Sequence, residues 1–365
     1  MTSRDAYYMR AALALGRRGL GNTWPNPAVG CVIVRDDGQG PYVIGRGWTQ
    51  PGGRPHAETQ ALLQAGPLAR GATAYVTLEP CSHYGRTGPC ADALARAGIA
   101  RVVGALRDPD PRVGGRGFDM LARYGLSVTE GICADEAFAA HLGHITRVTF
   151  GRPAVTVKMA VTADRMVAGP GGRTVRITGP LANARVHLMR AQADAIAVGI
   201  GTVLADDPQL TVRLPGLTGA SPLRIVFDSM LRLPLASRLV ASARQTPVWV
   251  VAGEAAPVAA EEALVAAGVE VMRVSGSPSL DLGEALRLLG TRGLTRLMVE
   301  AGPTLARSLA EADLIEEWVL FTGPEPLGEG LAGFDDALQN LLDRQLPNLA
   351  ALSVGPDIMT IQRRS

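Results

Sequence analysis

The sequence has almost no excess of charge, few aromatic residues and few cysteines. Its 365 residues include 36 Lys and Arg against 34 Asp and Glu, a formal net charge of +2, and 4% are aromatic. A protein whose main role is to bind a polyanion needs a surplus of positive charge, so a nucleic-acid partner is not expected. Four cysteines are too few for a disulfide scaffold in a chain of this length, so they are expected to be buried thiols, ligands or catalytic groups.

The chain also lacks a long apolar run. No apolar segment approaches the ~20 residues of a membrane span, and Met1 to Asp5 lacks the basic and then apolar order of a secretion signal. We therefore expect a soluble cytoplasmic protein with no membrane partner. What the chain does have is a 47% share of hydrophobic residues, enough for a sizeable core, and a length that predicts about two domains.

Helical and strand patterns alternate through both halves, which predicts α/β layers in each. Two strands that flank the turn at Asp36–Gly38 are expected to pair as a hairpin. In the first half we predict helices over residues 5–20, 56–65 and 91–97 and strands over 28–34, 42–47, 72–78 and 101–104. In the second half we predict helices over 180–191, 261–267, 282–289 and from 303, and strands over 154–161, 195–198, 223–228, 248–252 and 297–299.

The boundary between the halves is predicted around Gly151. From His141 to Pro153 the pattern lapses into polar and turn residues, and a new strand pattern follows. We therefore expect one domain at residues 1–147 and a second at 152–365.

Three motifs in the first half carry metal-binding residue types. His56 begins a predicted helix, Cys81 follows a predicted strand, and Cys90 lies nine positions later. One imidazole and two thiolates suit a zinc ion that keeps a fourth position open for a water of lowered pKa. Glu58, two residues after the histidine, suits a general acid/base that does not bind the metal. His-x-Glu followed by Pro-Cys is the signature of zinc-dependent base deaminases, although their cysteines usually have two residues between them and these have eight.

Each of these residues alone has an ordinary structural explanation. A single histidine on a helix is usually at the surface or satisfied in a core, and a single cysteine usually behaves as a small buried apolar residue. Their combination favours the metal site. The other two cysteines are expected to be structural, because Cys31 lies within an apolar strand pattern and Cys133 has no metal-binding neighbours.

At these motifs the first half resembles a known family. The segments Pro80 to Cys90 and Asn26 to Gly30, together with the His-Ala-Glu triplet, are similar to the deaminase half of the bifunctional riboflavin-biosynthesis deaminase-reductases, of which the long insert between the cysteines is a hallmark. The resemblance implies a cytidine-deaminase-like three-layer α/β/α domain. It also implies one Zn²⁺ held by His56, Cys81 and Cys90, with Glu58 moving protons. The residues implied to face the pyrimidine nucleotide are Asn26, His83 and Arg86.

The resemblance continues in the second half, from Ala154 to about Phe321. The reductase half of the same family, a relative of the dihydrofolate reductase fold, is similar to this chain at an ordered series of motifs. These motifs are Lys158-Met159-Ala160, Thr202 to Pro208, Leu210 to Arg213, Asp228-Ser229 and Glu300 to Leu305.

The second-half resemblance implies an NADPH-dependent reductase with a dihydrofolate-reductase-like α/β fold. The implied cofactor contacts are Ala160, Arg176, Thr202, Asp206, Ser229, Gly302, Pro303 and Thr304. The implied substrate contacts are Lys158, Thr174, Arg190, Leu210, Arg213 and Glu300. Arg190 and Arg213 suit a ribose phosphate, and Lys158 is a candidate to orient the sugar or assist proton transfer.

One motif favours a phosphate site independently of the resemblance. Gly302-Pro303-Thr304 lies where a predicted strand turns into a helix, and glycine allows close backbone approach while proline suits the first helical position. Taken alone, the same turn also fits an ordinary structural connection. No Gly-x-Gly-x-x-Gly follows the first strand of this half, so a Rossmann domain is not supported.

Four positions depart from the family's usual pattern. Thr49 stands in place of a histidine, which puts one substrate contact in doubt, and Gly88 stands in place of a proline, which loosens a loop. Arg165 follows Asp164 where relatives have glycine, and this larger side chain is a candidate to crowd the reductase site. Arg176 stands in place of a tryptophan and fits either a cofactor contact or a solvated loop charge.

The sequence therefore predicts a bifunctional riboflavin-biosynthesis enzyme with small pyrimidine ribosylamino phosphate substrates. It would deaminate a diaminopyrimidinone and then reduce its ribosyl group to ribityl. A homo-oligomer, a dimer or a tetramer, is expected because symmetric assembly is common. One alternative is a deaminase acting on a base in RNA, which the few aromatic residues and the lack of a basic cluster disfavour. The other is a zinc-stabilised scaffold or regulator with an inactive reductase, for which Thr49, Arg165 and Arg176 would argue.

Overall fold

The structure is a computed structural model and describes residues 3–84, 88–276 and 279–364. The chain divides into two compact units, Met1–Arg152 and Pro153–Ser365. Helices and a mainly parallel or mixed sheet are present in both, which confirms the predicted α/β class. No helix within the described ranges is long and apolar enough to cross a membrane.

The first unit is built on a five-stranded mixed sheet. Its strands are β1 (Gly30–Asp36), β2 (Pro41–Trp48), β3 (Thr73–Val76), β4 (Arg101–Gly104) and β5 (Ser127–Thr129). Its helices are α1 (Ser3–Gly16), α2 (Ala57–Ala65), α3 (Cys90–Arg96), α4 (Arg116–Arg123) and α5 (Ala134–Phe150). The strand order is β2-β1-β3-β4-β5, with β1 antiparallel to β2 and β3 and the last three strands parallel. The predicted hairpin is confirmed.

Alternate residues of β1 face two different cores. Cys31 and Ile33 belong to a cluster with residues of α2, α3 and α4, whereas Val32 and Val34 belong to a cluster with residues of α1 and α5. Successive side chains of a strand point to opposite faces, so helices cover the sheet on both sides. This produces the three-layer α/β/α arrangement and explains why the strand is an unbroken apolar run.

The prediction of polar and turn residues from His141 was wrong, because α5 continues to Phe150. The helix buries polar side chains on its inner face: His141, His144 and Thr146 are all buried. Apolar periodicity reveals a helix only when its buried face is apolar, so this one gave no such signal. The helix α4 and the strand β5 were also not predicted.

The second unit contains a nine-stranded sheet and a separate two-stranded one. Its strands are β6 (Ala154–Val161), β7 (Met166–Ala168), β8 (Ala195–Gly199), β9 (Leu223–Phe227), β10 (Val248–Gly253), β11 (Glu270–Val274), β12 (Arg296–Glu300), β13 (Glu317–Thr322), β14 (Leu331–Ala332), β15 (Asn348–Val354) and β16 (Asp357–Arg363). Its helices are α6 (Pro180–Ala191), α7 (Ile200–Asp206), α8 (Arg238–Ala241), α9 (Val258–Ala266), α10 (Leu282–Thr291), α11 (Pro303–Glu311) and α12 (Asp336–Gln345).

The large sheet has the order β11-β10-β9-β8-β12-β6-β13-β16-β15, and β14 pairs with β7. The strands from β11 to β13 in this order are parallel, and β16 and β15 are antiparallel additions at one edge. The parallel strands are apolar and deeply buried, as expected when helices cover both faces. Their carboxyl ends meet at one edge, where ligands bind in open α/β sheets.

Candidate active sites

The predicted metal ligands lie together in the first unit. His56 precedes α2 as its N-cap, Cys81 lies in the loop after β3, and Cys90 is the first residue of α3. His56 Nδ1 lies 3.7 Å from Cys81 Sγ and 3.3 Å from Cys90 Sγ. The three donor atoms all lie within 4.8 Å of one another. Three elements distant in sequence therefore meet at one point.

The geometry of this cluster fits a zinc ion. Tetrahedral zinc with bonds of about 2.0 Å to nitrogen and 2.3 Å to sulfur holds its donors about 3.6 Å apart, close to the distances seen here. Hydrogen bonds from Cys90 and His56 lower the pKa of the Cys81 thiol to about 4. A thiolate is the form that binds metal, so the set of donors is chemically ready for zinc.

Glycines in β2 fix the start of α2 and hence the position of His56. A Cβ on Gly47 would lie 2.0 Å from the Ala57 carbonyl oxygen, and one on Gly45 would lie 2.2 Å from the Ala61 carbonyl oxygen. The helix backbone therefore packs directly on the strand, which only glycine permits.

Glu58 lies within the first turn of α2 and is buried beside the ligands, with 3% of its surface exposed. Burial raises the pKa of Glu58, and its carboxylate contacts the Cys90 side chain. A carboxyl group with a raised pKa can both accept and return a proton near neutral pH.

The residues predicted to face the pyrimidine lie on loops. The Asn26 side chain donates from Nδ2 to the Gly53 carbonyl oxygen at 2.9 Å. Gly53 has φ +82°, and a Cβ there would lie 2.2 Å from that nitrogen, so glycine is required for the contact. His83 is exposed, and Arg86 lies outside the described residues.

Two of the departures from the family pattern have clear structural settings. Thr49 is buried, and its hydroxyl accepts the Val29 N–H at 3.0 Å, so it anchors its loop to the start of β1 instead of facing a substrate. A Cβ on Gly88 would meet only Tyr84, at 3.9 Å, so packing does not require glycine there.

Glu79 supports the metal site and was not identified from the sequence. Its Oε1 accepts the N–H groups of Gly117 at 2.8 Å and Phe118 at 3.3 Å, and its Oε2 accepts those of Gly115 at 3.0 Å and Asp108 at 3.1 Å. The buried carboxylate therefore ties the Cys81 loop to the segment between β4 and α4. The only signal in the sequence is an acidic residue directly after an apolar strand.

Asp92 is a second supporting residue that sequence reasoning missed. It accepts hydrogen bonds from the hydroxyls of Tyr124 at 2.7 Å and Tyr84 at 3.1 Å and from Arg96 at 2.9 Å. The Tyr124 hydroxyl, above all, lowers the pKa of Asp92. Because Tyr84 belongs to the insert between the cysteines, Asp92 anchors that insert to α3.

A cavity of about 880 Å³ lies at the carboxyl ends of the parallel strands in the second unit. Loops after β8, β9 and β12 and the end of β6 form its walls, as the general rule for such sheets predicts. The predicted residues that line it are Lys158, Ala160, Thr174, Thr202, Asp206, Ser229, Glu300, Gly302, Pro303 and Thr304.

A buried ion pair lies at one end of the cavity. Arg190 donates to Glu300 through Nε at 2.6 Å and Nη2 at 3.0 Å, and to the Thr211 carbonyl oxygen at 3.0 Å. Burial opposes ionisation of Glu300, but Arg190 and Lys158 lower its pKa overall. Burial lowers the pKa of Lys158, which lies opposite Glu300 in the pairing of β6 and β12. Arg190 therefore orients a carboxylate here as well as carrying charge.

Some predicted residues do not line the cavity. The Leu210 side chain is buried in an apolar cluster with φ +56°, so only its backbone is available to a ligand. Arg176 and Arg213 are exposed, and the Arg213 N–H donates to His187 Nδ1 at 3.3 Å. Arg165 does not crowd the site: its side chain bonds to Asp336 at 2.7 Å.

Comparison with known proteins covers both units. The RibD C-terminal domain matches residues 153–359, and the cytidine and deoxycytidylate deaminase zinc-binding region matches residues 2–106. The riboflavin biosynthesis protein RibD of Escherichia coli is 40% identical over 97% of this chain and 98% of that protein. The chain belongs to the RibD family. RibD of Aquifex aeolicus is 38% identical over 92% of each chain.

Solved RibD structures share the fold along the whole chain. Acinetobacter baumannii RibD has a TM-score of 0.84 at 36% identity, with 99% of each chain covered. A Thermotoga maritima diaminohydroxyphosphoribosylaminopyrimidine deaminase and 5-amino-6-(5-phosphoribosylamino)uracil reductase has a TM-score of 0.82 at 31% identity, with the same coverage. The predicted cytidine-deaminase-like first domain and dihydrofolate-reductase-like second domain are confirmed.

Proposed function

We propose that this chain catalyses two successive reactions of riboflavin biosynthesis. The first is zinc-dependent hydrolytic deamination of 2,5-diamino-6-(5-phosphoribosylamino)pyrimidin-4(3H)-one. The second is NADPH-dependent reduction of the ribosyl group of 5-amino-6-(5-phosphoribosylamino)uracil to ribityl. The observation that carries this proposal is the presence in one RibD chain of a three-donor metal cluster beside a buried glutamate and of a cavity at the ends of parallel strands.

In the first reaction the residues of the first unit bind the metal and move a proton. His56, Cys81 and Cys90 hold zinc, which supplies a nucleophilic water at neutral pH. Glu58 carries a proton to the leaving amino nitrogen, so that ammonia departs as a neutral molecule. Asn26, His83 and Arg86 are proposed to bind the pyrimidine nucleotide.

In the second reaction Lys158 and Glu300 act where the sugar lies. NADPH, when bound, supplies the hydride that reduces C1 of the ribose. Lys158 Nζ is placed to donate the proton that the ring oxygen takes up when the sugar opens, and its lowered pKa makes it a better acid. Arg190 holds Glu300 in position, and Arg213 is proposed to bind the phosphate.

The remaining features of the sequence analysis stay proposals. We assign the deaminase to residues 1–147 and the reductase to residues 152–365. A homo-oligomeric state and a cytoplasmic location are predictions of the sequence. The alternative of an inactive reductase loses its support from Arg165 and Thr49, because neither side chain enters the sites described above.

The test is to incubate the purified, zinc-loaded protein with the diaminopyrimidinone ribosylamino phosphate, with and without NADPH, and to identify the products by mass. We expect ammonia release without NADPH and the ribityl product only with it. Deamination without reduction would contradict the assignment of the second unit. Absence of ammonia would contradict the substrate assignment itself.

A further inference from the structure

The cavity of the second unit contains a cation that the proposed mechanism does not use. Arg232 follows β9, lines the cavity and keeps about half of its side chain exposed. Among the described residues that line this cavity, Arg232 and Lys158 are the two cations. Lys158 lies beside Glu300 at the end where the sugar is reduced, which leaves Arg232 without an assigned role.

Strand order places the two cations at opposite ends of the cavity. Arg232 belongs to the loop after β9, Lys158 lies on β6, and β8 and β12 lie between these strands. Three strand spacings of about 4.8 Å put them roughly 14 Å apart along the sheet edge. An extended dinucleotide whose nicotinamide lies near Lys158 therefore brings its adenosine ribose to the loop after β9.

The carboxylate of this loop is turned away from the cavity. Asp228 is fully buried, and its Oδ2 accepts the Leu233 N–H at 2.8 Å. Its Oδ1 lies 3.5 Å from Arg232 Nε. The carboxylate thus engages the inner nitrogen of the guanidinium and leaves the two terminal nitrogens for a ligand. A guanidinium presented in this way can bind a phosphate through two parallel hydrogen bonds.

The charge pattern distinguishes the two nicotinamide cofactors. Sites that bind NAD commonly place a carboxylate on the 2′-hydroxyl of the adenosine ribose, whereas an arginine near this position accommodates the 2′-phosphate of NADP. Here the carboxylate is buried and the arginine is presented, with the Ser229 hydroxyl lining the same end. We propose that Arg232 binds the 2′-phosphate of NADPH and is the residue that selects this cofactor over NADH. The inference rests on the proposed function of the second unit as a reductase.

Nucleotide fragments test the proposal without turnover. Calorimetric titration of the full chain with 2′,5′-ADP and with 5′-ADP measures the preference for the 2′-phosphate. We expect 2′,5′-ADP to bind more tightly, and Arg232→Ala to weaken it by about 10- to 100-fold while leaving 5′-ADP unchanged. Arg232→Lys is expected to retain part of the preference. Arg287→Ala, an exposed arginine of α10 that does not line the cavity, is the matched control.

Kinetics separate this inference from the proposed function. In the parent protein, kcat/KM with NADPH is expected to exceed that with NADH, and Arg232→Ala is expected to reduce the ratio by the same 10- to 100-fold factor. Equal binding of the two ADP compounds by the parent, or an unchanged ratio in the variant, overturns the role of Arg232 even if reduction occurs. A selective rise in the KM of the ribosylamino substrate would also overturn it. Tight 2′,5′-ADP binding without reduction would instead contradict the proposed reaction and leave the role of Arg232 standing.

Discussion

The zinc cluster and the reductase cavity are built from different parts of the polypeptide. The cluster consists of three side-chain atoms within 4.8 Å of one another, whereas the cavity of about 880 Å³ is lined mostly by strand ends, glycines and small residues. A metal accepts few side-chain types, so its site leaves a motif in the sequence. A dinucleotide site uses backbone and shape, which many sequences provide. The two sites should therefore respond differently to single substitutions.

The largest effect is expected from Glu58→Gln. The amide cannot carry the proton, so deamination should fall by about 10²- to 10⁴-fold. Zinc content should be unchanged, because Glu58 is not one of the three ligands. Ammonia release and metal analysis measure the two quantities, and reduction of directly supplied 5-amino-6-(5-phosphoribosylamino)uracil is the internal control. Retained deamination in a zinc-loaded variant would remove Glu58 from the proton-transfer role.

Glu79→Gln should have the next largest effect. An amide offers only one acceptor oxygen to the four N–H groups that Glu79 now receives, which should destabilise the first unit by about 3 kcal/mol. Zinc should then transfer faster to a chromogenic chelator. The control is Glu130→Gln, an exposed carboxylate of the same unit that pairs with Arg107. Zinc release as slow as in the control would show that Glu79 does not support the site.

A smaller effect is expected for Arg213→Ala in the second unit. Loss of one charged contact to the phosphate should raise the KM of the reductase substrate by roughly 10-fold, with NADPH binding and deamination unchanged. Steady-state kinetics at saturating NADPH measure it. Arg244→Ala is the comparison, since that arginine is exposed and bonds to the Ala266 carbonyl oxygen. Identical KM values for the two variants would exclude Arg213 from the phosphate site.

The smallest effect is expected from Arg165→Gly. Arg165 has φ +64°, a conformation that costs a non-glycine residue about 1 kcal/mol. The substitution relieves this strain but removes the exposed ion pair with Asp336 and the contact with the Phe334 ring, each worth under about 1 kcal/mol. The thermal midpoint of the second unit and the rate of reduction should change little. A several-fold faster reduction would mean that Arg165 obstructs the site after all.

Local signals predicted many elements well. The helix over 180–191 and the strand over 154–161 have the predicted bounds, because Pro180 occupies the first turn after Gly179 and the strand is an apolar run. The helix α5 was misread because its inner face buries polar side chains. Local pattern reports an element only when its own residues carry the usual signal.

For the sites, the sequence identified residues whose chemistry is visible in one dimension. The metal ligands have a recognisable type and spacing. Glu79 and Asp92 act through partners more than 28 and up to 39 residues away, such as Phe118 and Tyr124, so nothing near them in sequence marks their role. Arg190 was predicted from its charge, but its bidentate bond to Glu300 depends on two elements 110 residues apart.

The four N–H groups on Glu79 also bear on how this part of the molecule exchanges hydrogen with solvent. The amides of Asp108, Gly115, Gly117 and Phe118 share a single buried acceptor, so none can open to water without disturbing the others. They should therefore exchange with deuterium as one cooperative group, more slowly than a loop normally does. The segment between β4 and α4 would then behave in exchange experiments as part of the core.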